Sequence, residues 1–245
     1  MRASSLVALG LAAGALAHAS AASADGGPSD TGPAAGAVDA EPRWGVRLWS
    51  SERWLGDASM AALTTDTLGG GGVAVERRLL ALPVPGPFDD LAVSAELSFD
   101  AGSVDGTTFQ QLDNHVSTWA ISAGARARLP VLSWLQVQGR AALGAGRTTV
   151  RIADQMTGGA IEDRAATAVA SSGVGLAVMP TLRRGSRFRF VLDAELGYQT
   201  TTSTGVRAYP EDRPAPELTI PASYATLGDV DLDGWTLRFG AGVAF

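Results

Sequence analysis

The stretch Gly234-Trp235-Thr236-Leu237-Arg238-Phe239-Gly240-Ala241-Gly242-Val243-Ala244-Phe245 alternates from one end to the other. Trp235, Leu237, Phe239, Ala241, Val243 and Phe245 share one parity; Gly234, Thr236, Arg238, Gly240, Gly242 and Ala244 share the other. Successive side chains of a β-strand point to opposite faces, so this strand has one apolar face and one small or polar face.

Working back along the chain, Phe188, Phe190, Leu192, Ala194, Leu196 and Tyr198 oppose Arg187, Arg189, Val191, Asp193, Glu195 and Gly197. Trp119, Ile121, Ala123, Ala125, Ala127 and Leu129 oppose Ala120, Ser122, Gly124, Arg126 and Arg128. The same scheme runs from Leu135 to Gly144, from Leu91 to Asp100, from Gly173 to Val178, from Val73 to Glu76 and from Trp44 to Leu48, which makes eight candidate strands. Alternation alone would also suit a soluble sandwich. Length separates the two. Trp235 to Phe245 and Phe188 to Tyr198 each span ten steps with an aromatic at both ends. At roughly 3.3 Å per residue and a tilt of about 40°, that rise is about 25 Å, the height of a lipid-facing band with its aromatic girdles. The fold class expected is therefore all-β: an antiparallel up-and-down transmembrane β-barrel of eight strands.

The gaps between strands alternate in length. Pro83 to Asp90, Pro130 to Ser133 and Pro180 to Ser186 are short; Ser50 to Gly70, Ala101 to Asn114, Ala153 to Asp163 and Thr201 to Asp231 are longer. Short periplasmic turns and longer extracellular loops follow this order, with both termini in the periplasm. The N-terminal region agrees. Met1 and Arg2 precede the apolar run Leu6 to Ala17, and small-residue sites follow at Ala17-His18-Ala19 and Ala22-Ser23-Ala24. This reads as a signal peptide over 1–24. Residues 25–41, rich in Gly, Ala, Pro, Ser and Asp, read as a flexible periplasmic leader, and the barrel occupies 42–245.

Composition excludes several functions. There is no cysteine, so disulfides and thiol chemistry are out. Loss of Arg2 with the signal leaves 18 basic residues against 25 acidic, a net of −7, which argues against nucleic-acid binding. No cofactor motif or phosphate loop is present.

On these residues the domain from Trp44 to Phe245 resembles the small outer-membrane β-barrel superfamily. Arg238-Phe239-Gly240-Ala241-Gly242-Val243-Ala244-Phe245 is similar to that family's C-terminal assembly signal: polar, any, glycine, two of any kind, hydrophobic, any, terminal aromatic. The resemblance implies that Gly240, Val243 and Phe245 are read by the barrel-assembly machinery, with periplasmic chaperones as earlier partners and outer-membrane lipids as the final surroundings of a monomer.

The inward parity carries charge. Glu76, Glu96, Arg140, Asp193, Glu195 and Arg238 are expected near mid-height, with Arg78, Arg126, Arg128, Arg187 and Arg189 nearer the periplasm. Arg238 should lie beside Asp193 or Glu195. Eight strands leave a lumen that side chains fill, so mixed-sign charges read first as a plug of ion pairs and second as a narrow ion-conducting pore.

Two further patterns have bland readings. Asp229-Val230-Asp231-Leu232-Asp233-Gly234 matches the first half of a calcium loop, but its twelfth position is Gly240 instead of a bidentate Glu. A solvated acidic loop is the simpler account, and no metal site is assigned. His115-Val116-Ser117 looks like the His-x-Ser pair of outer-membrane lipid A deacylase barrels. Leu129 stands where that family has its acid, so nothing is assigned to orient His115, and a rim histidine beside a strand serine is the plainer reading. The expected function is non-enzymatic: a barrel with a structural, surface-exposed role and a polar, filled lumen. A porin-like channel is the alternative, and a lipid-modifying enzyme a more distant one.

Overall fold

Residues with one apolar face and one polar face close best into a cylinder when each strand finds two neighbours, because no edge is then left unpaired. The computed structural model closes in this way. It describes residues 43–56, 64, 66–84, 90–108, 110–156, 159–179, 188–202, 204–208 and 225–245. The segments expected to be a signal peptide and a leader, and Arg187, lie outside these residues.

The chain forms β1 (Trp44–Leu55), β2 (Thr67–Leu82), β3 (Leu91–Thr108), β4 (Leu112–Leu132), β5 (Leu135–Asp154), β6 (Ala160–Val178), β7 (Arg189–Thr201), β8 (Thr204–Ala208), β9 (Ala225–Val230) and β10 (Gly234–Ala244). Eight of them make a closed antiparallel barrel in the order β1-β10-β7-β6-β5-β4-β3-β2, while β8 and β9 pair with each other as a separate hairpin. The seam between β1 and β10 is tied by Trp44 N–H and Phe245 N–H, each donating to the other residue's carbonyl at 2.9 and 2.8 Å.

The registers fix the tilt. Stepping sideways from Trp54 leads through Trp235, Tyr198, Ser172, Ala141, Ala125, Ala95 and Arg77 to Trp44. One circuit therefore ends ten residues down the strand on which it began. For eight strands this shear corresponds to a tilt of about 41°. Each residue then rises about 2.5 Å, and Trp44 and Trp54 stand about 25 Å apart along the axis.

The strands are longer than their sequence signatures suggest, mostly at the end opposite the chain's seam, with β2 also running on to Leu82 at the seam end. β3 and β4 run on to Thr108 and back from Leu112, so the expected Ala101–Asn114 loop is almost entirely strand. β1 continues to Leu55 and β2 begins at Thr67; β5 reaches Asp154 and β6 starts at Ala160. The Thr201–Asp231 gap contains the β8–β9 hairpin. At the seam end the turn after β4 contracts to Ser133 and Trp134, with a register shift between Pro130 and Leu132. A bulge is where a strand tolerates a proline.

The wall is inverted relative to a soluble protein. Ile121, Leu143, Val174, Leu192 and Phe239 point outward and are more than half exposed, Leu143 at 71%. Charged residues are buried on the inside. Tyr198 and Trp235 stack edge to face at 5.4 Å at the far end of the band, and Phe188 and Phe245 meet at 6.1 Å at the seam end.

Candidate functional site: a layered lumen

Three layers follow one another inside the barrel. At the seam end a vestibule of about 570 Å³ opens between Arg43, Arg78, Arg128, Arg189, Glu76 and Asp90. Its inner wall is a strong pair: one Nη of Arg128 lies 2.6 Å from both oxygens of Glu76.

Above it lies a network of buried ions. Glu96 on β3 is held by two guanidiniums, Arg126 Nε at 2.8 Å and Arg140 Nε at 2.5 Å. Arg126 also reaches Glu195 through Nη1 at 2.9 Å, and Arg140 donates to Ser171 at 2.9 Å and Ser98 at 3.2 Å. Glu195 and Arg238 face each other in register at 3.5 Å, and Arg238 extends to Asp100 at 3.4 Å while its guanidinium lies over the Trp49 ring. Asp193 takes a different partner, Arg47 at 2.5 Å, with Gln138 donating at 3.1 Å. Among Arg140, Ser171, Glu195 and Arg238 only about 10 Å³ is left, room for about one water.

All six residues expected in the lumen face it; Arg126 joins Glu76, Glu96, Glu195, Arg140 and Arg238 in one network, while Asp193 pairs with Arg47 and Gln138 beside it. Arg126, expected nearer the seam end, is central. Counting residues from the turns ignores the tilt, and the shear of ten brings Arg126 level with Glu96 and Asp193. Arg47, Asp100 and Gln138 are lumen residues beyond the expected six, and each stands on the inward parity of its strand. Small residues opposite make the space. A Cβ on Gly240 would collide with the Asp193 carboxylate, and one on Gly242 would meet Arg47 Cγ at 2.5 Å. Gly240 thus has a packing role in addition to the one its motif implies.

The third layer is apolar. Leu68, Val104, Val116, Val150 and Leu232 form a buried cluster, with Leu55 and Ile152 packed against it. Val116 is fully buried. Arg53 donates to the Leu232 carbonyl of this layer at 3.4 Å.

The other two candidates change. Asp233 accepts from Thr201 N–H at 2.5 Å, and Asp231 accepts from Asp233 N–H at 3.0 Å, so both carboxylates hold the entry to β10. The side chain of Asp229 lies outside the described residues. His115 does have an acid: Asp105, directly opposite on β3, places Oδ1 2.7 Å from Nδ1. Sequence spacing along β4 could not find it because the partner comes from the neighbouring strand. Ser117 lies two residues from His115 on the same outward face, with no hydrogen bond between them among the described residues.

A closed eight-stranded antiparallel barrel, apolar outside over about 25 Å and charged within, is a transmembrane β-barrel. Among solved structures it is similar to Ail, the attachment invasion locus protein of Yersinia pestis, at 12% identity over 83% of this chain and 97% of that one, TM-score 0.42. It is similar also to a major outer membrane protein from Thermus thermophilus, at 13% identity over 82% and 99%, TM-score 0.42, and to the β-domain of the Bordetella autotransporter BrkA, at 12% over 84% and 100%, TM-score 0.41. These likenesses concern the fold alone, and no protein-family profile and no curated protein matches the chain.

Proposed function

We propose that this chain is an integral outer-membrane barrel, with both termini periplasmic, whose role is structural and surface-exposed instead of enzymatic or conducting. The observation that carries the reading is the double closure of the lumen. An ion crossing it would have to part the Glu96–Arg126–Arg140 cluster and then pass the Leu68–Val116–Leu232 cluster. Each guanidinium is held by fixed carboxylates, and separating buried pairs costs several kcal/mol. The apolar layer offers a permeating ion nothing to replace its water. Outer-membrane lipids surround the band. The barrel-assembly machinery and periplasmic chaperones are the partners of biogenesis, with Gly240, Val243 and Phe245 as the recognised residues. The protein works as a monomer without cofactor.

Planar-bilayer recording tests the closure. The inserted protein should give no discrete conductance steps; regular steps would make the porin-like reading correct. The Asp105–His115 pair keeps a lipid-modifying reading in play. Incubation with lipopolysaccharide should leave its acyl chains intact, and release that disappears in His115→Ala would overturn the non-enzymatic reading.

A further inference from the structure

Most charge in this protein that lies near lipid is turned inward or paired. Among the described residues, Glu52 on β1 is one outward-facing exception, and the end of β5 is the one place where unpaired cations gather. On β5 the outward-facing residues continue past the apolar band as Arg147, Thr149 and Arg151. Both arginines are exposed and neither has a hydrogen bond or ion pair among the described residues. Arg147 stands opposite Trp119 on β4, at the band's far girdle. Thr149 stands opposite Ser117 on β4 and Arg164 on β6, so a row of two hydroxyls and a third guanidinium runs between the two free ones.

The acids nearby are already engaged. Glu162, which faces Arg151 across the strands, holds Arg164 at 2.5 Å, and Asp105 holds His115. The patch is therefore rich in donors on a chain whose net charge is −6. Its height is as specific as its charge. With a rise of about 2.5 Å per residue, and allowing for the shear, Arg147 lies about 3 Å above Trp119 and Arg151 about 13 Å above it. That is the depth of lipid headgroups, with the girdle marking where acyl chains end. Elsewhere around the far girdle, among the described residues, the wall presents Trp54, Tyr198 and Trp235 without an outward arginine beside them.

We propose that the outward face of β4 to β6 above Trp119 binds the phosphorylated headgroup of an outer-leaflet glycolipid, with Arg147 and Arg151 gripping phosphate. Guanidinium forks suit phosphate oxygens, and Ser117 and Thr149 add hydroxyl donors between them. Acyl chains of the same lipid lie along Ile121 and Leu143 below. The proposal rests on the outer-membrane reading above.

The test uses the full chain folded in detergent and titrated with bisphosphorylated lipid A, with fully dephosphorylated lipid A as comparator. Arg147→Gln/Arg151→Gln should weaken binding of the phosphorylated lipid roughly thirtyfold and leave the dephosphorylated one unchanged. Arg77→Gln, at the opposite girdle over Trp44, should leave both affinities at the parent value. Heat-modifiable gel migration certifies that each variant is folded. Equal affinity of parent and double variant, equal affinity for the two lipids, or an equal loss in Arg77→Gln would each overturn the site. Failure of the parent to insert into phosphatidylcholine vesicles would instead overturn the membrane reading, which separates the two failures.

Discussion

Strand β4 obeys opposite rules on the two sides of Trp119. Toward the seam, Ile121, Ala123 and Ala125 face out and Ser122, Gly124 and Arg126 face in. Toward the far end the apolar residue is Val116, which faces in, while His115 and Ser117 face out. β3 makes the same exchange between Phe99 and Val104, and β5 between Leu143 and Val150. The backbone continues without a break, so only the surroundings have changed. In lipid the apolar face belongs outside and charge must pair in the lumen; in water the apolar face belongs inside. The far extension, carried mainly by β3 to β6, is a sheet with its apolar face turned inward, built on top of the membrane barrel.

The largest effect should come from breaking the membrane half's interior. Glu96→Ala leaves Arg126 with Glu195 alone at short range and strands the buried Arg140 guanidinium with only the Ser98 and Ser171 hydroxyls. The loss should be about 3–5 kcal/mol, measured as a lowered midpoint of urea unfolding in lipid vesicles. Unfolding at the parent's midpoint would mean that the network does not order the lumen.

Next comes a contrast along one face of one strand. Leu143→Arg puts a charge on the lipid side near mid-band and should cost about 2–4 kcal/mol. Thr149→Arg, on the same face six residues on, should change stability by no more than about 0.5 kcal/mol. Equal costs at the two positions would place the membrane boundary somewhere other than Trp119.

The fold was legible because the band forces strict alternation over ten residues with aromatics at both ends, as in Phe188–Tyr198 and Trp235–Phe245. The far extensions were not, since their outward face turns polar and the contrast between faces fades: Asp105, His115 and Arg151 surround Val104, Val116 and Val150. The signal available there was the switch of apolar parity itself. For the site, parity placed Glu96, Arg140, Glu195 and Arg238 in the lumen. Parity cannot rank heights across strands, which is why Arg126 reads too low, and it cannot choose between Asp193 and Glu195 as the partner of Arg238. Those choices depend on the shear, which is a property of the closed ring and of no single strand.

Val116→Ala tests the far extension. Removing two buried carbons from the apolar layer should cost about 2 kcal/mol. The effect should be local. Amide exchange should accelerate around Asn114–Thr118 and its partners on β3 and β5, while Ile121–Ala125 keeps its protection. Uniform acceleration along β4 would mean that the two halves unfold as one unit.

Among the truncations, the smallest thermodynamic effect is expected at Phe245. Its ring touches Phe188 at the seam-end girdle, and its backbone bonds to Trp44 survive truncation of the side chain. Phe245→Ala should therefore lower stability by only about 1 kcal/mol, since the ring is half-buried to begin with. Gly240→Ala makes the useful companion. A methyl there would press on the Asp193 carboxylate, and overpacking of this kind costs about 1–3 kcal/mol. If Gly240 matters because of packing and Phe245 because it is recognised during assembly, the two variants should fail in different places. Refolding into detergent should be impaired in Gly240→Ala and nearly normal in Phe245→Ala. In cells the order should reverse, with Phe245→Ala accumulating unassembled in the periplasm by heat-modifiable gel migration of envelope extracts. Normal insertion of Phe245→Ala in cells would leave the ring with a girdle role alone, and normal refolding of Gly240→Ala would return Gly240 to the recognition motif.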